Sequence, residues 1–124
     1  MHLIKSDFKL ARECPTKLYY KKLGYPSNKS EDPYLAYLAE GGYRVEKLAK
    51  LLYPDGIEIE YDRHQPEASY ARVRDTLAKG EDLTLFEACL LHENYFARAD
   101  ILEKTGKTLR VIEVKSASVN PLDD

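Results

Sequence analysis

The stretch RADILEKTGKTLRVIEVKS, residues 98–116, decides how this chain is read. Apolar residues alternate on both sides of Lys104–Lys107, the pattern of two strands joined by a tight turn. Asp100, Glu113 and Lys115 nevertheless stand inside those strands. Charged side chains are rarely buried unless they are paired or bind something. With Thr105-Gly106 as a two-residue turn, Lys104 faces Lys107, and Asp100 lies opposite Val111 and diagonal to Glu113. Directly opposed residues share a face and side chains alternate along each strand, so Asp100, Val111, Glu113 and Lys115 share one face.

Working outward, LTLFEACLL (83–91), YFARADILE (95–103) and TLRVIEVKS (108–116) read as three antiparallel strands. A turn at Glu93-Asn94 puts Glu87 directly opposite Asp100. Three carboxylates and one ammonium then crowd one patch, and such carboxylates repel unless a cation, a shared proton or an Arg/Lys partner intervenes. One resolution is an ion-pair lattice of Glu87, Arg98, Asp100 and Lys115 on an exposed face. Against it stand Phe96, Leu102 and Val111 beside the acids, with Ala99, Ile101, Ile112 and Val114 on the reverse; an exposed face carries more polar residues.

Before the strands the periodicity is helical. Residues 6–23 form a helix capped by Ser6, divided at Pro15 and stopped by Gly24, with Phe8, Ala11, Cys14 and Leu18 as its inner stripe. SEDPYLAYLAEGGYRVEKLAKLLYPDG (30–56) starts a helix at Asp32-Pro33 and stops it at Pro54 and Gly56. Its buried side is Leu38, Gly42, Val45, Ala49 and Leu52. Glu46 points toward that side, while Glu40, Arg44, Lys47 and Lys50 point elsewhere, and Gly42 allows close approach to the sheet. GIEIEYD (56–62) is a short strand, and PEASYARVRDTLAKG (66–80) a further amphipathic helix ending at Gly80. Helices gathered before a meander make an α+β or mixed α/β fold.

The chain has 124 residues, enough for one domain with one core. Between residues 1 and 30, seven Lys/Arg face two acids, an excess of five positive charges, so the rest carries a net −7 to reach the overall −2. A basic face able to meet phosphates therefore stands against an acidic centre able to hold cations. Apolar runs are too short to span a bilayer, and MHLIKSDFKL has no secretory h-region, so no membrane role is expected. Cys14 and Cys89, far apart, suit a reducing cytoplasm rather than a disulfide framework. Each reads as a small buried hydrophobe. His2, His64 and His92 have no ligand-like spacing.

Glu46 within GYRVE (42–46), Asp100 within ARADIL (97–102) and Glu113/Lys115 within IEVKS (112–116) together resemble the PD-(D/E)XK nuclease superfamily, and within it the RecB-like branch. KSDFKLARECPTKLYY (5–20) is similar to the opening helix of that branch. The resemblance runs from about Lys5 to Ser118 and implies a restriction-endonuclease-like core, with N-terminal helices packed on the antiparallel meander. It also implies a metal-dependent nuclease hydrolysing DNA phosphodiester bonds. Asp100, Glu113 and the Val114 carbonyl would ligate Mg²⁺ or Mn²⁺, Glu46 would reach the same ion, and Lys115 would orient the attacking water. Glu87 is an additional acid, and Lys5, Ser6, Lys17, Tyr20 and Lys21 are candidate nucleic-acid contacts. Tyr19, Tyr20 and Tyr25, beside the basic segment, are the tyrosines best placed to stack on bases.

The branch continues into a helix with a Gln-x-x-x-Tyr motif, whereas here the sequence runs into SASVNPLDD (116–124), so an N-terminal fragment of a longer domain or protein is expected. Some relatives hold an iron–sulfur cluster through one early and three late cysteines; Cys14 matches the early position, but the late trio is missing from this sequence. The alternative function is a catalytically inactive nuclease-fold module that binds DNA or a protein partner.

Overall fold

The structure, a computed structural model, describes residues 2–26, 32–62 and 64–117. Four helices, α1 (Lys5–Glu13), α2 (Pro15–Lys22), α3 (Pro33–Lys50) and α4 (Pro66–Leu77), accompany four strands, β1 (Ile57–Glu58), β2 (Leu83–His92), β3 (Tyr95–Thr105) and β4 (Thr108–Ile112). The strands form one mixed sheet in the order β1-β2-β3-β4. β1 runs parallel to β2, with α4 in the connection between them, and β2 to β4 form the expected antiparallel meander. The class is thus α+β. No helix among the described residues is long and apolar enough to cross a membrane.

The core lies where α4 covers β2 and β3. Val73 packs with Ile59, Leu85, Ala88, Cys89, Phe96, Ala99 and Leu102, all buried. Cys89 belongs to this core as expected, while Cys14 is only half-buried. Gly56 lies against the Phe86 ring, where a Cβ would stand 2.1 Å from Cζ, so the turn into β1 needs a residue without a side chain.

Turn chemistry decides the register. His92 pairs with Tyr95, so Glu93-Asn94 is the first turn, as the sequence implies. In the second hairpin Thr105 pairs with Thr108, and Gly106-Lys107 form the turn instead of Thr105-Gly106. Gly106, with φ of 57°, takes the first turn position, where positive φ is needed and glycine adopts it without strain. The pairing therefore shifts by two residues: Leu102, not Asp100, faces Val111. A two-residue shift leaves every side chain on its original face. The expected apolar covering fails at the rim, because β4 is an exposed edge with Val111 and Leu109 open to solvent.

The N-terminal helices divide at Pro15 as expected, with Pro15 at the first turn of α2 and Gly24 (φ 74°) just beyond it. Ser6 is not the cap. Ile4 holds that position, and the Asp7 carboxylate reaches back to accept its backbone N–H at 3.1 Å. The chain enters α1 already tied to the hairpin: Leu3 N–H donates to the Asn94 carbonyl at 2.7 Å and Phe96 N–H to the Leu3 carbonyl at 2.9 Å. The buried residue of α1 is Asp7, 1% exposed, whereas Phe8 is 63% exposed. The expected inner stripe of Phe8, Ala11 and Leu18 faces an open apolar cleft of about 650 Å³ rather than packed side chains.

Asp32 caps α3 as expected, accepting the Tyr34 N–H at 2.9 Å. The helix closes at Lys50, before Pro54 and Gly56. Its apolar stripe is not a buried face: Leu38 is 47% and Leu52 78% exposed, and only Gly42, Val45 and Ala49 are half-covered. Nothing lies within 4 Å of where a Gly42 Cβ would stand, so that glycine serves no close approach. Charged groups, Glu46 and Lys50, connect α3 to the sheet instead.

Asp7 joins α1 to α2 through Lys21 at 2.6 Å and Lys22 at 2.5 Å. Burial alone would raise its pKa, but these two bonds and the Ile4 N–H outweigh it and hold the carboxyl at about 2, against an ordinary 3.8. A folded pKa below the unfolded one gives stability that is present above pH 3.8 and lost as pH falls through 2. The difference corresponds to about 2 kcal/mol. Asp7→Asn is therefore expected to lower unfolding stability by about that much at pH 7, with wild type and variant converging near pH 2. Urea denaturation at both pH values checks this, and an equal gap at both would refute the assignment.

Candidate functional site

Register brings three acids into one row across the sheet. Phe86↔Ile101 and Ala88↔Ala99 flank the level at which Glu87 faces Asp100, as the sequence implies. Ile101↔Ile112 then puts Glu113 at the next position, facing Asp100 from the end of β4. Neighbouring strands stand about 4.8 Å apart, so unscreened carboxylates at one level repel. The ladder opens at this level. Glu87 takes φ of 54°, a left-handed conformation that costs a non-glycine residue on the order of 1 kcal/mol. The paired positions of β2 accordingly skip it.

Asp100 anchors the far end. Its Oδ2 accepts the Val114 N–H at 2.6 Å, replacing the ladder bond that β4 no longer makes and fixing the chain from Glu113 to Lys115 beside it. Lys115 donates to Glu113 Oε1 at 2.5 Å, and Lys5 of α1 donates to the same oxygen. Lys115 and Lys5 together draw the Glu113 pKa down. The Glu113 bond raises that of Lys115, with Asp100 adding to the field. Asp100, Glu113, Val114 and Lys115 therefore come together. Asp100 itself makes no ion pair among the described residues, so only part of the alternative lattice forms: Arg98 binds Glu87 at 2.7 Å, but Lys115 turns to Glu113.

Glu46 faces the sheet as expected but meets Glu87. The hydrogen bond from Glu87 holds Glu46 below the usual carboxylate range, while burial and that same bond push Glu87 up. Glu87 is itself met by two cations, Lys50 on Oε1 at 3.3 Å and Arg98 on Oε2 at 2.7 Å. Lys50, which the helical wheel turned away from the site, projects into it, 2.9 Å from Glu46, 3.2 Å from Glu58 and 3.3 Å from Glu87. Burial works against its charge, but the three glutamates outweigh it and raise its pKa. The signal for this role was readable: Lys50 follows Glu46 by four residues, the spacing of a helical ion pair. Asp7 and Glu58 were the other residues missed, because their partners are distant in sequence.

Of the candidate nucleic-acid contacts, Lys5 sits on Glu113, and Lys21 lies on Asp7 and 3.4 Å from the Ser6 hydroxyl. Lys17 and Tyr20 are exposed on α2, and Lys17 has no ion pair among the described residues. The residues beyond Ala117, including Ser118 and the anticipated end of the resemblance, lie outside the described residues.

Two carboxylates and a carbonyl are hard oxygen donors of the type Mg²⁺ takes, commonly through one or two carboxylates with waters and phosphate completing the shell. Asp100 Oδ1 and Glu113 Oε2 remain for that purpose when the other oxygens are engaged. No three His, Cys, Asp or Glu side chains converge to hold a metal among the described residues. Searches against protein-family models, curated proteins and solved structures found no significant match.

Lys50 is the half-buried ammonium on which Glu46, Glu58 and Glu87 converge, and truncating one partner of such a cluster leaves the others uncompensated. Lys50→Met is expected to cost about 2 kcal/mol at pH 7 and less at pH 4, where protonated glutamates repel less. Chemical denaturation at the two pH values measures this. An undiminished loss at pH 4 would assign Lys50 a packing role alone.

Proposed function

We propose that this chain carries the site of a metal-dependent nuclease of the restriction-endonuclease-like type, hydrolysing DNA phosphodiester bonds. The observation supporting it is the meeting of Asp100, Glu113 and Lys115 at the end of the β3–β4 hairpin, with Asp100 fixed by the Val114 N–H. When bound, Mg²⁺ or Mn²⁺ would stabilise charge on the phosphate and lower the pKa of a coordinated water. Asp100, Glu113 and the Val114 carbonyl would hold it. Lys115 is 68% exposed, free to swing from Glu113 to a phosphate oxygen, where its ammonium would offset charge growing in the transition state. Lys5 would act likewise or leave Glu113 to the cation. The attacking water forms the new P–O bond as the P–O3′ bond breaks, and its proton passes to a neighbouring base or solvent.

Glu46 enters this scheme as a supporting acid. With Glu87 it gathers Lys50 and Arg98 at the row next to Asp100, which offsets the negative charge there. A second reading, the nuclease-fold module that binds without cutting, draws on the two ammoniums already on Glu113 and on the engagement of Glu46 with Lys50.

Incubation of single- and double-stranded DNA with the chain in Mn²⁺ tests the proposal. Hydrolysis should fall at least about a hundredfold in Asp100→Asn and in Lys115→Ala, with circular dichroism unchanged. Cleavage insensitive to Asp100→Asn would contradict it, and DNA binding without cleavage would favour the second reading.

A further inference from the structure

Helix α2 and the chain just beyond it present three tyrosines that neither the core nor the acidic row uses. Tyr19, Tyr20 and Tyr25 are 61%, 46% and 61% exposed, although the hydrophobic effect favours covering aromatic rings. Tyr20 stands edge-on between the other two, 5.5 Å from Tyr19 at 72° and 5.0 Å from Tyr25 at 68°. The Tyr25 N–H donates to the Tyr20 carbonyl at 3.1 Å, fixing the chain beyond Gly24 back onto the helix. The rings are thus held as a set while remaining open to solvent.

The helix that carries Tyr19 and Tyr20 bears only basic charge. Lys17 makes no ion pair among the described residues, Lys21 and Lys22 both bridge Asp7, and the exposed Glu13 stands two residues before the helix. The same turn of α1 links the tyrosines to the candidate site: Ser6 and Asp7 contact Lys21, next to Tyr20, and Lys5 contacts Glu113.

We infer that Tyr19, Tyr20 and Tyr25, with Lys17, form a stacking platform for unpaired nucleic-acid bases that leads a single strand toward Glu113. Aromatic rings stack on any exposed base while cations follow the phosphates, a combination that a paired duplex, with its bases turned inward, cannot engage. The charge favours this occupant over a basic or neutral peptide. The inference rests on the reading of the chain as acting on nucleic acid, but it concerns binding and not cleavage.

The test is fluorescence anisotropy with a labelled 15-mer of deoxythymidine in EDTA, where hydrolysis is silent. Binding should weaken about tenfold in Tyr20→Leu and further in Tyr19→Leu/Tyr25→Leu, while Tyr20→Phe retains it. Lys17→Gln should lower the slope of log affinity against log salt by about 0.7. A duplex of the same length should bind more weakly, without dependence on Tyr20. Because the chain has ten tyrosines and no tryptophan, stacking should also quench intrinsic tyrosine emission, less in the double variant. No binding, binding equal in all Tyr variants at unchanged thermal stability, or preference for duplex would overturn the platform. Variant-dependent binding without metal-dependent cleavage would support the platform and count against the nuclease reading, whereas cleavage indifferent to the tyrosines would do the reverse.

Discussion

Electrostatic repulsion within one row of the sheet is the constraint to which the rest of the structure responds. Glu87 on β2, Asp100 on β3 and Glu113 just past the end of β4 stand at one level, and each is relieved differently. Glu87 lies against Glu46, which pushes its pKa up, and meets Arg98 and Lys50. Asp100 takes a backbone N–H, and Glu113 takes two ammoniums. The backbone yields at the same level: Glu87 leaves the extended region, and β4 ends at Ile112.

Those compensations differ in strength, and the difference carries the functional argument. The Glu46–Lys50–Glu87 group is half-buried, where removing one charge is costly. The Lys5–Glu113–Lys115 group is largely exposed, and ion pairs of that kind contribute between nothing and about 1 kcal/mol. One end of the row is therefore structural and the other exchangeable. Under the proposed function, a divalent cation would displace an ammonium from Glu113 at little cost to the fold.

Much of this was legible in the sequence, for reasons that particular elements make plain. The first hairpin register followed from Glu93-Asn94, and α3 began where Asp32-Pro33 said it would. The second hairpin differed because Gly106 prefers the first turn position, yet the two-residue shift preserved the faces and moved Glu113 directly opposite Asp100. The Asp7–Lys21–Lys22 cluster was invisible, since periodicity counts a charged residue as solvent-facing and says nothing of a partner fourteen residues away. The apolar stripe of α3 misled for the opposite reason: it is well patterned, but among the described residues it packs against the sheet chiefly through Glu46 and Lys50.

The central claim is that the exposed end of the row exchanges its ammoniums for a divalent cation. Calorimetric titration of Mn²⁺ into the wild-type chain and Asp100→Ala tests it most directly. Saturable binding in the wild type that is lost in the variant, with an unchanged circular dichroism spectrum, is the predicted result. Absent binding, or binding equal in both proteins, would contradict the claim and leave the row as a purely structural network.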